Sequence, residues 1–147
     1  MNGGQPLGQI LVEERLIEPA ALEMALLQQK SRYEPLGTIL LRMKVITEYE
    51  LEKVLTHQFG FVHLNPKTYR MTDKSLLDLI PVEVTRKYHC FPLEKNKQIL
   101  KVAIVDPLDT DALVVLNDLT RLTIQFIASR QVWIDELIDI YFAGKVT

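Results

Sequence analysis

The chain contains 147 residues, of which 48% are hydrophobic, and its formal net charge is −2. A chain of this length can bury a core without disulfide bonds or metal ions, and the weak negative charge gives none of the basic excess typical of nucleic-acid-binding or membrane-surface proteins. The single cysteine, Cys90, excludes an intramolecular disulfide bond, so the composition predicts a soluble globular protein of one or two small domains.

The first sixty residues contain an internal repeat. When the chain is shifted by 29 positions, residues 6–29 align with residues 35–58, and ten of the 24 aligned positions are identical. Chance would give about one or two identities at ordinary residue frequencies. The two segments are therefore called copy one and copy two below.

Each copy predicts two short helices. In copy one, Leu7, Ile10 and Leu11 have helical spacing, and Pro19 suits the first turn of a second helix. In copy two, Thr47 and Glu50 have the spacing of a capping box at the start of the second helix. Because one helix pair buries only one face, we expect the two copies to pack on each other.

A glutamine ends the apolar face of the second helix in each copy, at Gln29 and Gln58. A buried unpaired amide costs about 1–3 kcal/mol, so each glutamine is expected to have a partner. The amides either bond a backbone carbonyl at the helix end or contact the two halves of a pseudo-symmetric ligand. Two interpretations are likewise open for Gly8 and Gly37. They either let the helices pack closely or let a flat ligand approach backbone N–H groups at a helix start.

The residues after position 60 predict a small α/β domain. The predicted elements are a strand over 59–64, a helix over 72–80, a short helix or turn over 82–88, a hairpin of strands over 90–94 and 99–105, a helix capped by Asp109 or Thr110, a strand over 122–128 and a last helix capped by Ser129. The fold class expected is α+β. A tandem helical-hairpin repeat over 1–60 precedes a small α/β sandwich with a short mixed sheet over 61–147.

Neither a targeting segment nor a membrane-spanning segment is predicted. Residues 1–6 lack the basic start and the apolar stretch of a signal peptide. The apolar stretch over 99–105 is interrupted by Lys101 and is far shorter than the ~20 residues that a membrane helix needs. We therefore expect any role at a membrane to depend on a partner.

No catalytic motif is present in the sequence. The triphosphate-binding pattern G-x-x-x-x-G-K-[ST] is missing, as are G-x-G-x-x-G, H-E-x-x-H and G-x-S-x-G. The chain is predicted not to be an enzyme, and a small stand-alone enzyme is the least supported class of function.

The histidines and the cysteine do not predict a metal site or a nucleophile. His57, His63 and His89 lie in three different predicted elements, and no pair has the spacing of metal ligands. Cys90 follows His89, but neighbours in a strand point to opposite faces, so a buried core thiol is the better interpretation.

Three aspartates crowd one predicted turn, at Asp106, Asp109 and Asp111. Their carboxylates would suit a hard cation, but no glycine or distant glutamate completes a calcium loop. Aspartates are ordinary at strand ends and helix caps, so a structural role is expected and no metal is predicted.

The tandem motif resembles that of the MshEN domain, found at the N-termini of type II secretion and type IV pilus assembly ATPases. The family motif begins Arg-Leu-Gly, continues with aliphatic residues around an internal glycine, and ends Leu, Leu, Gln after 24 residues. It is repeated after a five-residue spacer, which here is 30–34. The second half also resembles this region in Leu79-Ile80-Pro81, Phe91-Pro92-Leu93, Val102-Ala103 and Asp106-Pro107-Leu108-Asp109.

The resemblance implies two roles, neither of them catalytic. Some members bind cyclic di-GMP, with each copy of the motif contacting one half of the ligand. Others bind no nucleotide and dock the cytoplasmic region of an inner-membrane platform protein, linking it to an ATPase motor domain in cis or in trans. No cofactor is required in either role, and no nucleic-acid partner is implied.

The resemblance also implies a set of ligand-binding residues, which are the Leu-Gly pair, the aliphatic residues and the final glutamine of each copy. In copy one the matching residues are Leu7, Gly8, Leu11, Val12, Leu16, Ile17, Leu22, Leu26 and Gln29. In copy two they are Leu36, Gly37, Leu40, Leu41, Val45, Ile46, Leu51, Leu55 and Gln58.

The two copies depart from the family motif at the same positions. The opening arginine is replaced by Pro6 and Pro35, and the internal glycine by Arg15 and Lys44. Loss of both arginines removes the planar donors that pair with phosphate or stack on guanine. We therefore predict a non-catalytic adaptor that docks a platform protein, and a cyclic di-GMP receptor as the alternative.

Overall fold

The computed structural model describes residues 7–32 and 34–143, so Pro6 lies outside the described residues. The chain divides into two compact units, Met1–Gly60 and Phe61–Thr147. None of the helices in the described ranges is both long enough and apolar enough to cross a membrane.

The described part of the first unit is built from four helices, two in each copy of the repeat. They are α1 (Leu7–Glu13), α2 (Pro19–Ser31), α3 (Leu36–Arg42) and α4 (Glu48–Phe59). This arrangement confirms the predicted tandem helical hairpins. Apolar side chains of all four helices are buried, including Leu11, Ala25, Ile39 and Leu55.

The starts of α2 and α4 differ in their capping. At α4, the Thr47 hydroxyl accepts a hydrogen bond from the Glu50 N–H at 3.1 Å, and the Glu50 carboxylate accepts one from the Thr47 N–H at 3.0 Å. This is the predicted capping box. Helix α2 begins with Pro19 at its first position, and its N-cap residue Glu18 makes no side-chain capping bond.

Helices α1 and α3 end in the same left-handed turn. Arg15 and Lys44, which follow these helices, both have a φ of 62°. The next residue in each copy bonds back across five residues, from Leu16 N–H to the Leu11 carbonyl at 3.0 Å and at the equivalent place in copy two at 3.3 Å. This is the Schellman geometry that normally favours glycine, which explains the internal glycine of the family motif.

The second unit carries a three-stranded mixed sheet in the order β1-β2-β3. Strand β1 (Cys90–Asn96) pairs antiparallel with β2 (Ile99–Ile104), and β2 pairs parallel with β3 (Thr123–Ala128). A 3-10 helix (Lys74–Asp78) and the helices α5 (Val82–Tyr88), α6 (Thr110–Thr120) and α7 (Gln131–Tyr141) complete the unit. Its core includes Phe91, Leu100, Leu116 and Phe142, and the predicted α+β class and mixed sheet are confirmed.

The predicted strand over 59–64 does not form. Helix α4 continues to Phe59, and Gly60 then turns the chain with a φ of 85°. Only Phe61 makes a bridge to Ala128, supported by a hydrogen bond from the Val62 N–H to the Ala128 carbonyl at 2.9 Å. The segment predicted as a strand therefore contacts the sheet only through the bridge at Phe61.

Two other local predictions were wrong. The helix predicted over 72–80 is only a short 3-10 helix, because the Asp73 carboxylate caps its start at Ser75 and Pro81 disfavours helical geometry in the preceding residue. Ser129 does not cap α7, whose N-cap residue is Arg130. The Ser129 hydroxyl instead donates to the Val62 carbonyl at 2.7 Å.

Candidate functional site

Most of the residues that the motif nominates for ligand binding are buried. The buried members are Leu7, Gly8, Leu11, Ile17, Leu36, Gly37, Leu40, Ile46, Leu51 and Leu55. Val12, Leu16, Leu22, Gln29, Leu41, Val45 and Gln58 are partly buried, and Leu26 is exposed. Packing of the repeat therefore accounts for most of the aliphatic pattern.

The two glycines permit close contact between the helices of each copy. A Cβ atom on Gly37 would lie 3.0 Å from Leu51 Cδ2, and one on Gly8 would collide with Leu22 Cδ1. The same helix-to-helix contact recurs in both copies because the two pairs have the same spacing in sequence. This geometry supports the close-packing interpretation of both glycines.

The two glutamines have different environments. The Gln29 amide donates a 2.7 Å hydrogen bond to the carbonyl of Glu34 in the spacer, which supports the capping interpretation for copy one. Among residues 7–32 and 34–143, no hydrogen bond to the Gln58 side chain is found. Gln58 instead lines a cavity in the first unit.

This cavity has a volume of about 540 Å³, within the range typical of small-molecule sites. The turn that follows α1 contributes Glu14 and Leu16. One face of α4 contributes Tyr49, Glu50, Lys53, Val54, His57 and Gln58. It is called the α1–α4 cavity below, and only Leu16 and Gln58 of its lining belong to the predicted ligand-binding set.

Local structure positions the lining of the α1–α4 cavity. The left-handed turn at Arg15 brings Leu16 back against α1 through its bond to the Leu11 carbonyl. The capping box fixes the first turn of α4 and engages the Glu50 carboxylate. Since the α4 residues recur at intervals of four, they form one continuous face of the helix.

A second feature of the first unit is an exposed apolar surface on α2, called the α2 surface below. Its members are Met24, Leu26 and Leu27, whose exposed fractions are 58%, 41% and 66%. At the equivalent positions copy two has Lys53, a leucine that is only 2% exposed, and Thr56. Two exposed positions of α2, Met24 and Leu27, are therefore apolar where the equivalent positions of α4 are polar.

His89 and Cys90 do not form a catalytic pair. Burial, with a smaller contribution from the Asp109 charge, raises the pKa of the Cys90 thiol to about 12, so the thiol stays protonated at neutral pH. His89 has a left-handed φ of 52°, and its Nδ1 lies 2.8 Å from a carboxylate oxygen of Asp135. This geometry supports the interpretation of Cys90 as a core thiol.

The aspartates of the predicted turn make local hydrogen bonds. The Asp106 carboxylate accepts from the Leu108 N–H at 3.0 Å, and the Asp109 carboxylate caps α6 by accepting from the Ala112 N–H at 3.0 Å. Asp111 is exposed in the first turn of α6. Within the described ranges, no group of three or more histidine, cysteine or acidic residues is arranged to hold a metal.

An aromatic cluster in the second unit was not predicted from the sequence. The His63 ring lies 5.2 Å from the Phe61 ring and 5.5 Å from the Trp133 ring, and the Arg130 guanidinium lies 4.6 Å above Trp133. Phe61 and His63 stand near each other in sequence, but no local pattern connects them with Trp133. Only the tertiary structure brings these residues together.

The chain matches one family model and two curated relatives. The model of the MshEN domain matches residues 59–147. The "Type IV pilus assembly ATPase PilB" of Myxococcus xanthus is 32% identical over 139 residues, which are 95% of this chain and 24% of that protein. The protein of the same name from Thermus thermophilus is 25% identical over 125 residues, or 84% of this chain and 14% of that protein. The chain thus spans about a quarter or less of these relatives.

The fold is shared with solved structures, of which two illustrate the similarity. "Structure of MshE with cdg" superposes with a TM-score of 0.67 at 26% identity and covers 93% of this chain and 99% of that one. "Structure of the N-terminal domain of XpsE" superposes with a TM-score of 0.64 at 18% identity, covering 93% and 94%. These similarities extend over both units, including the tandem repeat that precedes the part matched by the family model.

Proposed function

The chain belongs to the MshEN domain family, and from that premise we propose that it is a non-catalytic adaptor that docks an ATPase motor to an inner-membrane platform protein. The relatives are pilus assembly ATPases, and their similarity reaches 95% of this chain. The sequence lacks the triphosphate-binding pattern, so the proposal assigns ATP hydrolysis to a motor domain in cis or in trans.

The observation that carries the docking proposal is the α2 surface. The repeat can be built without apolar residues at these outer positions, because copy two has Lys53 and Thr56 where copy one has Met24 and Leu27. An apolar side chain left in water gains about 1.5–3 kcal/mol when a partner buries it fully. The apolar character of α2 therefore fits a contact with another molecule rather than a need of the fold.

Substitutions borrowed from copy two test this docking surface. Leu27→Thr and Met24→Lys place residues on α2 that the repeat already tolerates on α4. We expect each to weaken binding to the cytoplasmic region of the cognate platform protein by at least about tenfold, since each removes buried apolar area worth more than 1.4 kcal/mol. Biolayer interferometry with the immobilised platform segment measures the affinity of the wild-type chain and of each variant.

A matched control is available on α7 of the second unit. Ile140 is 56% exposed, so Ile140→Thr removes a similar exposed apolar side chain outside the α2 surface. It should leave the affinity unchanged. Equal affinities for the wild-type chain and both α2 variants would contradict the proposed surface.

A second candidate function is a cyclic di-GMP receptor, favoured by the similarity to MshE, whose structure was solved with cdg. Gln58 supports it from this chain, because its amide faces the α1–α4 cavity and makes no hydrogen bond within the described residues. Pro35 opposes it, because a proline cannot supply the guanidinium of the family motif.

Isothermal titration with cyclic di-GMP tests the second candidate. A receptor should bind with micromolar or tighter affinity, and Gln58→Ala should weaken that binding because it removes an available amide from the cavity. Gln29→Ala provides the repeat-matched comparison, since the Gln29 amide is already bonded to the Glu34 carbonyl. No binding heat at millimolar ligand would reject this candidate and leave docking as the function.

A further inference from the structure

We propose that the outer edge of β3 pairs with the same edge of a second copy of this chain, so that two sheets join into one. The two β3 strands run antiparallel, and Gln125 of each copy lies opposite Gln125 of the other. This inference goes beyond the proposed functions, because it concerns the second unit and uses neither the α2 surface nor the α1–α4 cavity.

Strand β3 is an edge strand, since in the order β1-β2-β3 it pairs only with β2. At its start the Thr123 N–H donates to the Gln98 carbonyl at 2.7 Å. Just beyond its end the Ser129 N–H donates to the Ile104 carbonyl at 3.2 Å. Because the side on which a residue bonds alternates along a strand, the odd-numbered residues of β3 direct their backbone groups toward β2. The even-numbered residues therefore direct theirs to the outer edge.

Hydrogen bonds within the chain already occupy both ends of this outer edge. Before β3, the Leu122 N–H donates to the Thr120 hydroxyl at 3.1 Å, and the Leu122 carbonyl accepts from the Asn117 amide at 2.8 Å. At the end of β3, the Ala128 carbonyl accepts from the Val62 N–H at 2.9 Å. The outer edge is therefore open only between Leu122 and Ala128.

Ile124 and Phe126 are the outward-facing residues of this open stretch. Within residues 7–32 and 34–143, their backbone N–H and C=O groups make no hydrogen bond at the outer edge. Under a two-fold axis, Ile124 of each copy lies opposite Phe126 of the other. Opposed residues of this kind exchange both of their N–H···O bonds in an antiparallel ladder. Every open group of both copies is then bonded, and the axis passes between the two Gln125 residues.

The composition of β3 permits such pairing, whereas that of the other edge strand opposes it. Thr123–Ala128 contains neither a charged residue nor a proline, so two copies meet without repulsion between like charges. Strand β1 has the features that normally prevent pairing at an edge. They are Pro92, a register shift between Pro92 and Glu94, and the charges of Glu94 and Lys95. Only the β1 edge is therefore protected against a further strand.

The side chains also suit the two-fold register. Thr123 and Gln125 are exposed on one face of β3, and the opposed Gln125 amides are placed to bond each other. On the other face Ile124 and Phe126 are partly buried, and each β-branched side chain lies opposite an aromatic ring, which stabilises paired strands. This self-complementarity favours a second copy over an unrelated extended peptide.

Cysteine cross-linking tests the pairing and its register. Gln125→Cys places the two thiols in an opposed pair whose Cα atoms lie about 4.5 Å apart, within the range of a disulfide bond. Thr123→Cys is the matched control on the same face, because its two copies would be offset by about 13 Å along the strands. The natural thiol of Cys90 is fully buried and does not compete.

Under mild oxidation at about 100 µM chain, Gln125→Cys should form a covalent dimer on a non-reducing gel, while Thr123→Cys should remain mostly monomeric. Equal cross-linking of the two variants would contradict the register, and absence of cross-linking in both would contradict the pairing.

Sedimentation velocity of the full chain measures the association without a cross-link. We expect a reversible dimer that is populated at about 100 µM and dissociates at about 1 µM, because the paired stretch is short. Gln125→Lys opposes two ammonium groups and should weaken the dimer at least about tenfold. Asn96→Lys adds the same charge at an exposed position of β1 and should leave the dimer unchanged.

Circular dichroism checks that both lysine variants keep the fold. A wild-type chain that stays monomeric up to about 500 µM would overturn the inference and leave the β3 edge to an extended segment of another protein. A dimer of equal strength in the wild-type chain and Gln125→Lys would overturn it as well.

Discussion

At the scale of single residues, Asp106 shows the clearest effect of burial on charge. Burial raises the pKa of its carboxyl to about 6; the Leu108 N–H opposes this shift, and the Asp109 charge adds to it. The pKa of an unfolded aspartate is about 3.9, so the native state holds more protons between about pH 4 and pH 6. The free energy of unfolding should therefore fall as the pH rises through this window and stay level above it.

Asp106→Asn should remove this contribution while keeping an oxygen that accepts the Leu108 N–H. We expect the variant to be more stable than the wild type at pH 7 by up to about 3 kcal/mol, with little difference at pH 4. Urea unfolding followed by Trp133 fluorescence at both pH values measures the difference. An equal gain at both pH values would show that titration of Asp106 is not the cause.

Arg15 and Lys44 lie in the left-handed region, where a Cβ atom is unfavourable. Arg15→Gly and Lys44→Gly should each raise the free energy of unfolding by about 0.5–1 kcal/mol, because the relief of the left-handed geometry exceeds the entropy cost of glycine. The two effects should add, since the residues end different helices. Arg32→Gly at another exposed position is the control, and stabilisation by that change too would contradict the explanation.

At the scale of the helix, the capping box is the main local difference between α4 and α2. Thr47→Ala removes the acceptor for the Glu50 N–H and should destabilise the chain by about 1 kcal/mol. Thr56→Ala, an exposed change within the same helix, should be neutral or slightly stabilising because alanine has the higher helix propensity. Chemical denaturation of the two variants checks the prediction, and equal stabilities would exclude a role for the cap.

The sequence predicts elements well where local signals are strong. The repeat indicates two helices in each copy, Thr47 and Glu50 indicate a cap, and Lys97 lies in the turn of the predicted hairpin. Prediction fails where tertiary contacts determine the local structure. Ser129 is an example, because its hydroxyl donates a hydrogen bond to the distant Val62 carbonyl. The short 3-10 helix has a different origin, because the Asp73 cap and Pro81 limit it locally.

The candidate site could be predicted only in part. Most residues that are identical in the two copies are residues that the fold needs. Gln58 was found in this way, and it does line the α1–α4 cavity. Tyr49, Lys53 and His57 were missed as a group because copy two does not share them with copy one. Their spacing of four residues along α4 was the available signal.

At the scale of the whole molecule, the chain combines two units that its relatives also contain, and it spans about a quarter of the M. xanthus ATPase. Its fold extends over nearly all of the matched MshE and XpsE chains. The sequence lacks the triphosphate-binding pattern, while the α2 surface presents apolar side chains to solvent. These features are the basis of the proposed adaptor role.

Titration of the full chain with the cytoplasmic region of its cognate platform protein tests the docking function most directly. Isothermal calorimetry should detect a one-to-one complex with a Kd of about 1 µM or tighter, equivalent to about −8 kcal/mol. The heat capacity change on binding should be negative, because the interface buries the apolar α2 surface. Absence of binding heat with both proteins folded at about 100 µM, where a micromolar complex would be nearly saturated, would contradict the adaptor function.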